Sequence, residues 1–367
     1  MNSEEVKISA FQLGILIIVA VVGVGILTLP RNVVEIAETD GWILILAAGA
    51  ITIGISLVIN TLANKFPNET IIEYSRDLVG YPLALLIGII LILYYVIFAA
   101  FSVRIFGEVL KMYLLPKTPI EVINITFLIT LIYLIRSGFE GIVRFYEIII
   151  LIMFIPYFIA LFTGTANLDY SNLLPAFQTS PKVILIGILQ IVFSFMGFEA
   201  IFLFIPFVSD KKNMKKTLII VISIITLIYL ISTIIVIASF GKHEIKILIW
   251  PLMAYIKSIQ VPGAFIEQLE GVIMTIWVLF IFTTLGTMYF SSAFILTRLT
   301  KTKEHKIFGV ALLPIIYILS LQPDNVAQIY DWLGAFSMYA GTLVVIIIPI
   351  LLLVIAKIRK KGVKSNG

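Results

Sequence analysis

Glu199 is a carboxylate inside an apolar run, Ser194-Phe195-Met196-Gly197-Phe198-Glu199, with Pro206 a few residues beyond. On insertion scales a charge at membrane depth costs about 2.5–3.5 kcal/mol, so such a group faces the protein interior or water. Two readings fit it. It orients or couples a bound substrate, or it accepts hydrogen bonds from unwound backbone N–H groups of its own segment. A second polar set lies at Thr283-Thr284-Leu285-Gly286-Thr287, followed by Ser291. Thr283, Thr287 and Ser291 are spaced i, i+4, i+8 and share one helix face. Their hydroxyls suit a polar amino-acid group or Na⁺; the plain alternative is helix–helix hydrogen bonding, worth about 0.6 kcal/mol each. A third element is Gly23-Val24-Gly25, with Pro30 five residues on, which suits unwinding better than close packing. Lipid cannot satisfy bare backbone groups, so unwound stretches survive only against protein or a cavity. Tyr94, Tyr95, Phe98 and Phe101 form an aromatic stripe that either walls a pocket or packs as core.

The chemistry these residues imply is non-covalent recognition. The chain has no cysteine, and His243 and His305 fall in expected loops without partners at ligand spacing, so no metal or redox cofactor is expected. Gly-Lys-Ser/Thr phosphate loops, HExxH and Gly-x-Ser-x-Gly elbows are missing, so nothing supports ATP hydrolysis or covalent catalysis and no enzyme is expected. Arg104 and Glu108 stand i, i+4 and read as a structural ion pair; Glu147 beside Arg144 reads the same way.

What positions these groups is a set of membrane helices. Of 367 residues 60% are hydrophobic and 13% charged, and the mean hydropathy is +1.11; a soluble domain carries about 25% charge. An all-α polytopic membrane protein is expected. Hydrophobic runs near 11–37, 41–63, 82–114, 119–136, 143–164, 183–206, 216–240, 268–298, 307–321 and 334–356 predict ten spans. No cleavable signal pattern precedes the first. The net charge of +5 reads as topology rather than nucleic-acid binding: 18 of the 26 basic residues, including Lys211–Lys216 and Lys357–Lys364, fall on the face that holds both termini. The positive-inside rule puts that face in the cytoplasm.

Five spans in 1–164 and five in 183–356 suggest two repeats, joined by an outer linker at 165–182 and followed by a basic cytoplasmic tail at 357–367. An odd number of spans per repeat inverts the second. Gly23–Gly25 and Gly197 then break the first span of each half, the arrangement that marks a midplane binding site. The outer stretch Lys246-Ile-Leu-Ile-Trp250-Pro251 reads as a helix lying at the membrane interface.

Gly23-Val24-Gly25-Ile26-Leu27 with Phe195-Met196-Gly197-Phe198-Glu199 resembles the amino acid–polyamine–organocation transporters, which have the LeuT-type 5+5 inverted-repeat fold with broken helices 1 and 6. The ordered set Leu27-Thr28-Leu29-Pro30-Arg31, Asp40-Gly41-Trp42, Leu248-Ile249-Trp250-Pro251, Phe265-Ile266-Glu267, Phe282-Thr283-Thr284 and Gln322-Pro323-Asp324-Asn325 is similar to the GerAB-type B subunits of spore germinant receptors. The resemblance runs from about Phe11 to Lys361. It implies a germinant-sensing subunit in the inner membrane of a spore, binding a small nutrient, often an amino acid, alongside an A-type subunit and a C-type lipoprotein. Gly25 and Thr287 match positions on which the family's pocket depends. The proton-coupled relatives carry a lysine in span five, and this chain has none between Arg144 and Lys182. That favours a sensor over an active transporter. The expected pocket lies between spans one, three, six and eight and includes Gly23, Val24, Gly25, Phe98, Phe101, Phe195, Gly197, Glu199, Thr283, Thr284 and Thr287. An amino-acid permease, a germinant-gated ion conduit and a ligand-free scaffold are the alternatives.

Overall fold

The computed structural model describes residues 7–23, 25–259, 269–302 and 304–362; Val24 and Phe265-Ile266-Glu267 lie outside the described residues. Those residues form helices, with one isolated β-bridge between Ile8 and Val208. In chain order the helices are α1 (Ala10–Val21), α2 (Gly25–Ala37), α3 (Gly41–Lys65), α4 (Ile71–Val79), α5 (Tyr81–Tyr113), α6 (Ile120–Arg136), α7 (Gly138–Thr163) and α8 (Pro181–Val192). They continue as α9 (Ile201–Phe204), α10 (Met214–Ile247), α11 (Pro251–Ser258), α12 (Leu269–Thr300), α13 (His305–Ser320), α14 (Val326–Phe336) and α15 (Ile348–Ile358).

Among the described residues six continuous helical stretches are long and apolar enough to cross a membrane: Gly25–Lys65, Tyr81–Tyr113, Gly138–Thr163, Lys211–Ile247, Met274–Thr300 and Val326–Ile358. The first of these holds two helices, because a 3₁₀ turn at Glu38–Asp40 separates α2 from α3. Pro181–Phe195 and Phe198–Phe207 pass the same test as a pair bent by 59°. Ala10–Val21 and His305–Ser320 are shorter apolar helices.

Local chemistry explains the ends. Ser9 caps α1 through a reciprocal box: its hydroxyl accepts from the Gln12 N–H at 3.1 Å and the Gln12 amide oxygen accepts from the Ser9 N–H at 2.8 Å. Thr70 and Glu73 form the same box at the start of α4. Gly241, at φ 68°, turns α10 before its last residues. The last long helix carries a π-helical stretch at Ser337–Ile347, a wider winding that is rare in helices. Its Gly341 faces the ring of Phe193.

The packing puts α1 and α2 at the centre. α1 lies against α7, α10 and α12, and α2 against α8, α10 and α11. Around them α3 packs on α10, and α5 packs on α12 and α13. At one end Ile8 ties the base of α1 to the chain after the bent pair: its N–H donates to the Phe207 carbonyl at 3.0 Å and its carbonyl accepts from the Ser209 N–H at 2.9 Å. The Ala10 N–H adds a bond to the Asp210 carboxylate at 2.6 Å. At the other end the segment after α7 is clasped to the α2–α3 turn. Asp40 accepts from the N–H groups of Phe177 at 2.5 Å and Thr179 at 2.8 Å, and Thr39 donates to the Pro175 carbonyl. Hydrogen bonds from Lys242 and then Lys246 hold the Glu38 carboxyl below its usual range.

Three expectations are corrected. Trp250 does not face lipid: it is 2% exposed, and its indole N–H donates to the Tyr330 hydroxyl of α14 at 2.7 Å. His305 is not in a loop but opens α13, buried, with its Nε2 at 3.1 Å from the Ile135 carbonyl. Glu147 does not pair with Arg144; it accepts from the Gln12 amide at 3.0 Å, while Arg144 pairs with Glu140 at 2.6 Å. Arg104 and Glu108 do pair, at 3.0 Å. Helix α4 was not expected at all, although Thr70-Ile-Ile-Glu73 carries its capping signature in the sequence.

Candidate functional site

Helix α1 ends at Val21 and α2 begins at Gly25, so the apolar run is interrupted at the glycines. The last carbonyls of a helix and the first N–H groups of the next have no intrahelical partner. Side chains from other helices take the carbonyls. The Val19 carbonyl accepts from the hydroxyls of Thr284 at 3.0 Å and Thr283 at 3.2 Å, both on α12. The Tyr229 hydroxyl on α10 lies 3.0 Å from the Val21 carbonyl and 3.0 Å from the Ser194 carbonyl, and shares its proton between them. Gly23 is a residue of close approach: a Cβ there would overlap the Thr284 side chain.

The second interruption lies between Phe195 and Phe198, across the 59° bend. Gly197 has φ 118° and ψ −30°, a conformation that only glycine adopts without strain. A Cβ on Gly197 would also sit 2.7 Å from the Ala20 carbonyl oxygen of α1. The two interruptions therefore touch backbone to backbone. Glu199 closes this one from within: one carboxylate oxygen accepts from the Gly197 N–H at 2.7 Å, the other from the Tyr94 hydroxyl of α5 at 2.7 Å. It is 0% exposed, and both of its oxygens are hydrogen-bonded, as a buried polar group requires. Phe195 is buried edge-on against Tyr229, with centroids 5.3 Å apart.

Of the expected residues, the structure thus brings together Gly23, Gly25, Phe195, Gly197, Glu199, Thr283 and Thr284. Thr287 stands one turn further along α12, facing α7. Its hydroxyl lies 3.2 Å from the Tyr146 hydroxyl, which itself donates to the Thr283 carbonyl at 2.8 Å. Gly286 packs on the same tyrosine. Ser291, on that face, is buried with no hydrogen-bond partner. Phe98 stacks on Tyr94, whereas Phe101 turns to Trp332 and Phe336 of α14 at 6.2 and 6.0 Å. Val24 lies outside the described residues.

Sequence reasoning missed Tyr229 and Tyr146. The available signal was a tyrosine inside each of two apolar runs, because a buried phenol hydroxyl finds a partner. The electrostatics of the two interruptions differ. Helix N-termini are electropositive and suit carboxylates. Glu199 occupies the N-terminal side of the Phe198–Phe207 segment. At the start of α2 no acceptor is seen for the N–H groups of Gly25, Ile26 and Leu27 among the described residues. No cluster of three or more His, Cys, Asp or Glu occurs among the described residues.

The family described as "Spore germination protein" matches residues 7–329. The chain is 32% identical over 366 residues to spore germination protein YndE of Bacillus subtilis (strain 168), covering 99% of this chain and 100% of that protein. It is 29% identical over 363 residues to spore germination protein B2 of the same organism, covering 98% of each. Among solved structures it is similar to the crystal structure of MhsT in complex with L-phenylalanine, with TM-score 0.68 and 13% identity over 96% of this chain and 89% of that one. The fold is therefore of the LeuT type.

Proposed function

The chain belongs to the spore germination protein family, and from that premise we propose that it is the membrane subunit of a nutrient germinant receptor, binding a small zwitterion where its two interrupted helices meet. The observation that carries the reading is the asymmetry of the two helix starts: one holds the Glu199 carboxylate, while the first turn of α2 offers N–H groups. A ligand's carboxylate would take the α2 start. Its ammonium would compete with Tyr229, Thr283 and Thr284 for the carbonyls of Val19, Val21 and Ser194. An amino acid carries both groups, and a protein of this fold binds L-phenylalanine.

The wider assignment follows the same premise. The chain has ten spans in two inverted five-span repeats, with α1–α2 as the first and the bent pair as the sixth. Packing of the second span on the seventh and of the third on the eighth supports that pairing. Both termini lie in the cytoplasm, and the site of action is the spore inner membrane beside A-type and lipoprotein C-type subunits. Ligand binding would bias one arrangement of the interrupted helices, which the partner subunits would read; only differential affinity for the two arrangements can drive such a signal. The lack of lysine between Arg144 and Lys182 supports sensing over proton-coupled transport.

Spores carrying Thr284→Val test the reading. The nutrient concentration for half-maximal germination should shift several-fold while the protein level stays unchanged. An unshifted dose response would remove this centre as the binding site. Concentrative uptake of labelled amino acid by liposomes containing the purified protein would replace sensing by transport.

A further inference from the structure

Away from the helix interruptions, a cavity of about 610 Å³ opens where the start of α5 meets the end of α12 and α4. Three cations line it, Arg76, Arg298 and Lys301, against one carboxylate, Glu73. That carboxylate is largely spoken for. It accepts from the Thr70 N–H and hydroxyl, and it stands 3.5 Å from Arg298. Arg76 lies over the ring of Tyr81 at 5.1 Å, and no carboxylate pairs with Arg76 or Lys301 among the described residues.

Lys301 is held there at a conformational cost. It follows the last residue of α12 with φ 54°, the left-handed position that ends helices and that glycine fills freely. The Thr302 N–H closes the turn on the Thr297 carbonyl at 3.1 Å. A lysine in that position fixes the origin of its ammonium beside the cavity.

The depth of the cavity is set by α5. Its 33 residues span about 50 Å, longer than the ~30 Å hydrocarbon layer, so its first turns lie at headgroup level. From there Leu86, Ile89 and Leu93 run along one exposed face, at 52%, 44% and 53% exposure. A cation-lined cavity on a helix that also carries exposed apolar residues on an adjoining face offers the two chemistries of a phospholipid. The geometry points to a site for the phosphodiester headgroup of an anionic phospholipid, its phosphate on Arg76, Arg298 and Lys301 and its acyl chain along α5. Basic cavities between helices at the membrane surface recognise such headgroups.

The test uses the purified full chain in a neutral detergent, with thermal unfolding followed as phosphatidylglycerol, phosphatidylcholine or glycerol phosphate is added. Phosphatidylglycerol should raise Tm saturably and phosphatidylcholine should not. Each basic residue beside an anionic headgroup is worth roughly fivefold in affinity, so Arg76→Gln with Lys301→Gly should raise the half-saturating concentration ~25-fold. Lys301→Gly alone relieves the left-handed strain. It should keep or raise the lipid-free Tm while weakening the lipid response, which separates loss of the site from loss of the fold. An unshifted response in the double variant overturns the proposal. So does equal stabilisation by phosphatidylcholine, or by glycerol phosphate, which would mark a free-anion site. Stabilisation by oligoglutamate alone would assign the cavity to an acidic protein segment and overturn it as well.

Discussion

The two helix interruptions solve one problem by opposite means. At the first, freed carbonyls are met from other helices: Thr283 and Thr284 of α12 reach Val19, and Tyr229 of α10 reaches Val21. At the second, the broken segment supplies its own carboxylate, and Glu199 bonds the Gly197 N–H two residues away. The first interruption therefore changes whenever α10 or α12 moves relative to α1. The second is held by a bond within its own segment, with the Tyr94 hydroxyl of α5 on the other carboxylate oxygen. A small ligand that replaces hydroxyls at the first would release helices; at the second it would meet a group already paired.

The contrast is most sharply strained by Gly197→Ala. Its φ of 118° and the 2.7 Å approach of the Ala20 carbonyl leave no room for a methyl. A loss of about 3 kcal/mol or more is expected, read as a large fall in Tm or no recoverable folded protein. At Gly25 the nearest atom to an added methyl is the Ser194 oxygen at 3.2 Å, so Gly25→Ala should be much milder. Equal losses would erase the distinction between a rigid and an adjustable interruption.

Next comes Glu199. Glu199→Ala leaves the buried Gly197 N–H without an acceptor and should cost about 2–3 kcal/mol. Glu199→Gln should cost less than about 1 kcal/mol, because the amide oxygen keeps the Gly197 N–H and Tyr94 switches from donor to acceptor. If Gln is as damaging as Ala in thermal unfolding, charge rather than hydrogen bonding holds the segment.

Tyr229→Phe acts on the first interruption. It strips the shared donor from Val21 and Ser194 and should lower stability by about 1–2 kcal/mol. Unlike Glu199→Gln, it should also move the germination dose response. A germination shift with Glu199→Gln and none with Tyr229→Phe would reverse the roles assigned to the two sites.

The smallest effect lies at the outer clasp. Lys242 and Lys246 lower the folded pKa of Glu38 below the unperturbed 4.5. The clasp's contribution is thus present above pH 4.5 and is lost as pH falls through the folded pKa. The side chain of Glu38 is 49% exposed, so screening keeps the change below about 1 kcal/mol. Acid titration of Tm should show this loss in the wild type and not in Glu38→Gln.

Much of the fold is legible in the chain because helix formation is local. Each of the ten apolar runs contains helix, and the glycines at 23, 25 and 197 fall where helices stop. Partners of polar side chains are not local, and there the sequence misleads. Trp250 reads as an interfacial anchor until Tyr330, 80 residues away, takes its N–H. Glu147 sits beside Arg144 in sequence yet meets Gln12 across 135 residues. Thr287 shares a face with Thr283 as spacing requires, but spacing cannot say which neighbour that face meets. That neighbour is α7, through Tyr146. Glu199 was legible as a buried carboxylate with two readings, and the position of Tyr94 and the Gly197 N–H decides its hydrogen bonding.

The bridge at Ile8 bears on mechanics. Four hydrogen bonds fasten the root of α1 to the residues from Phe207 to Asp210. The root of α1 and the end of the bent pair are thereby coupled at that end. Torque applied to the chain just before Lys7 is delivered to Ser209 and Asp210 as well. A partner that grips Lys7 or Ile8 has a handle on both arms at once.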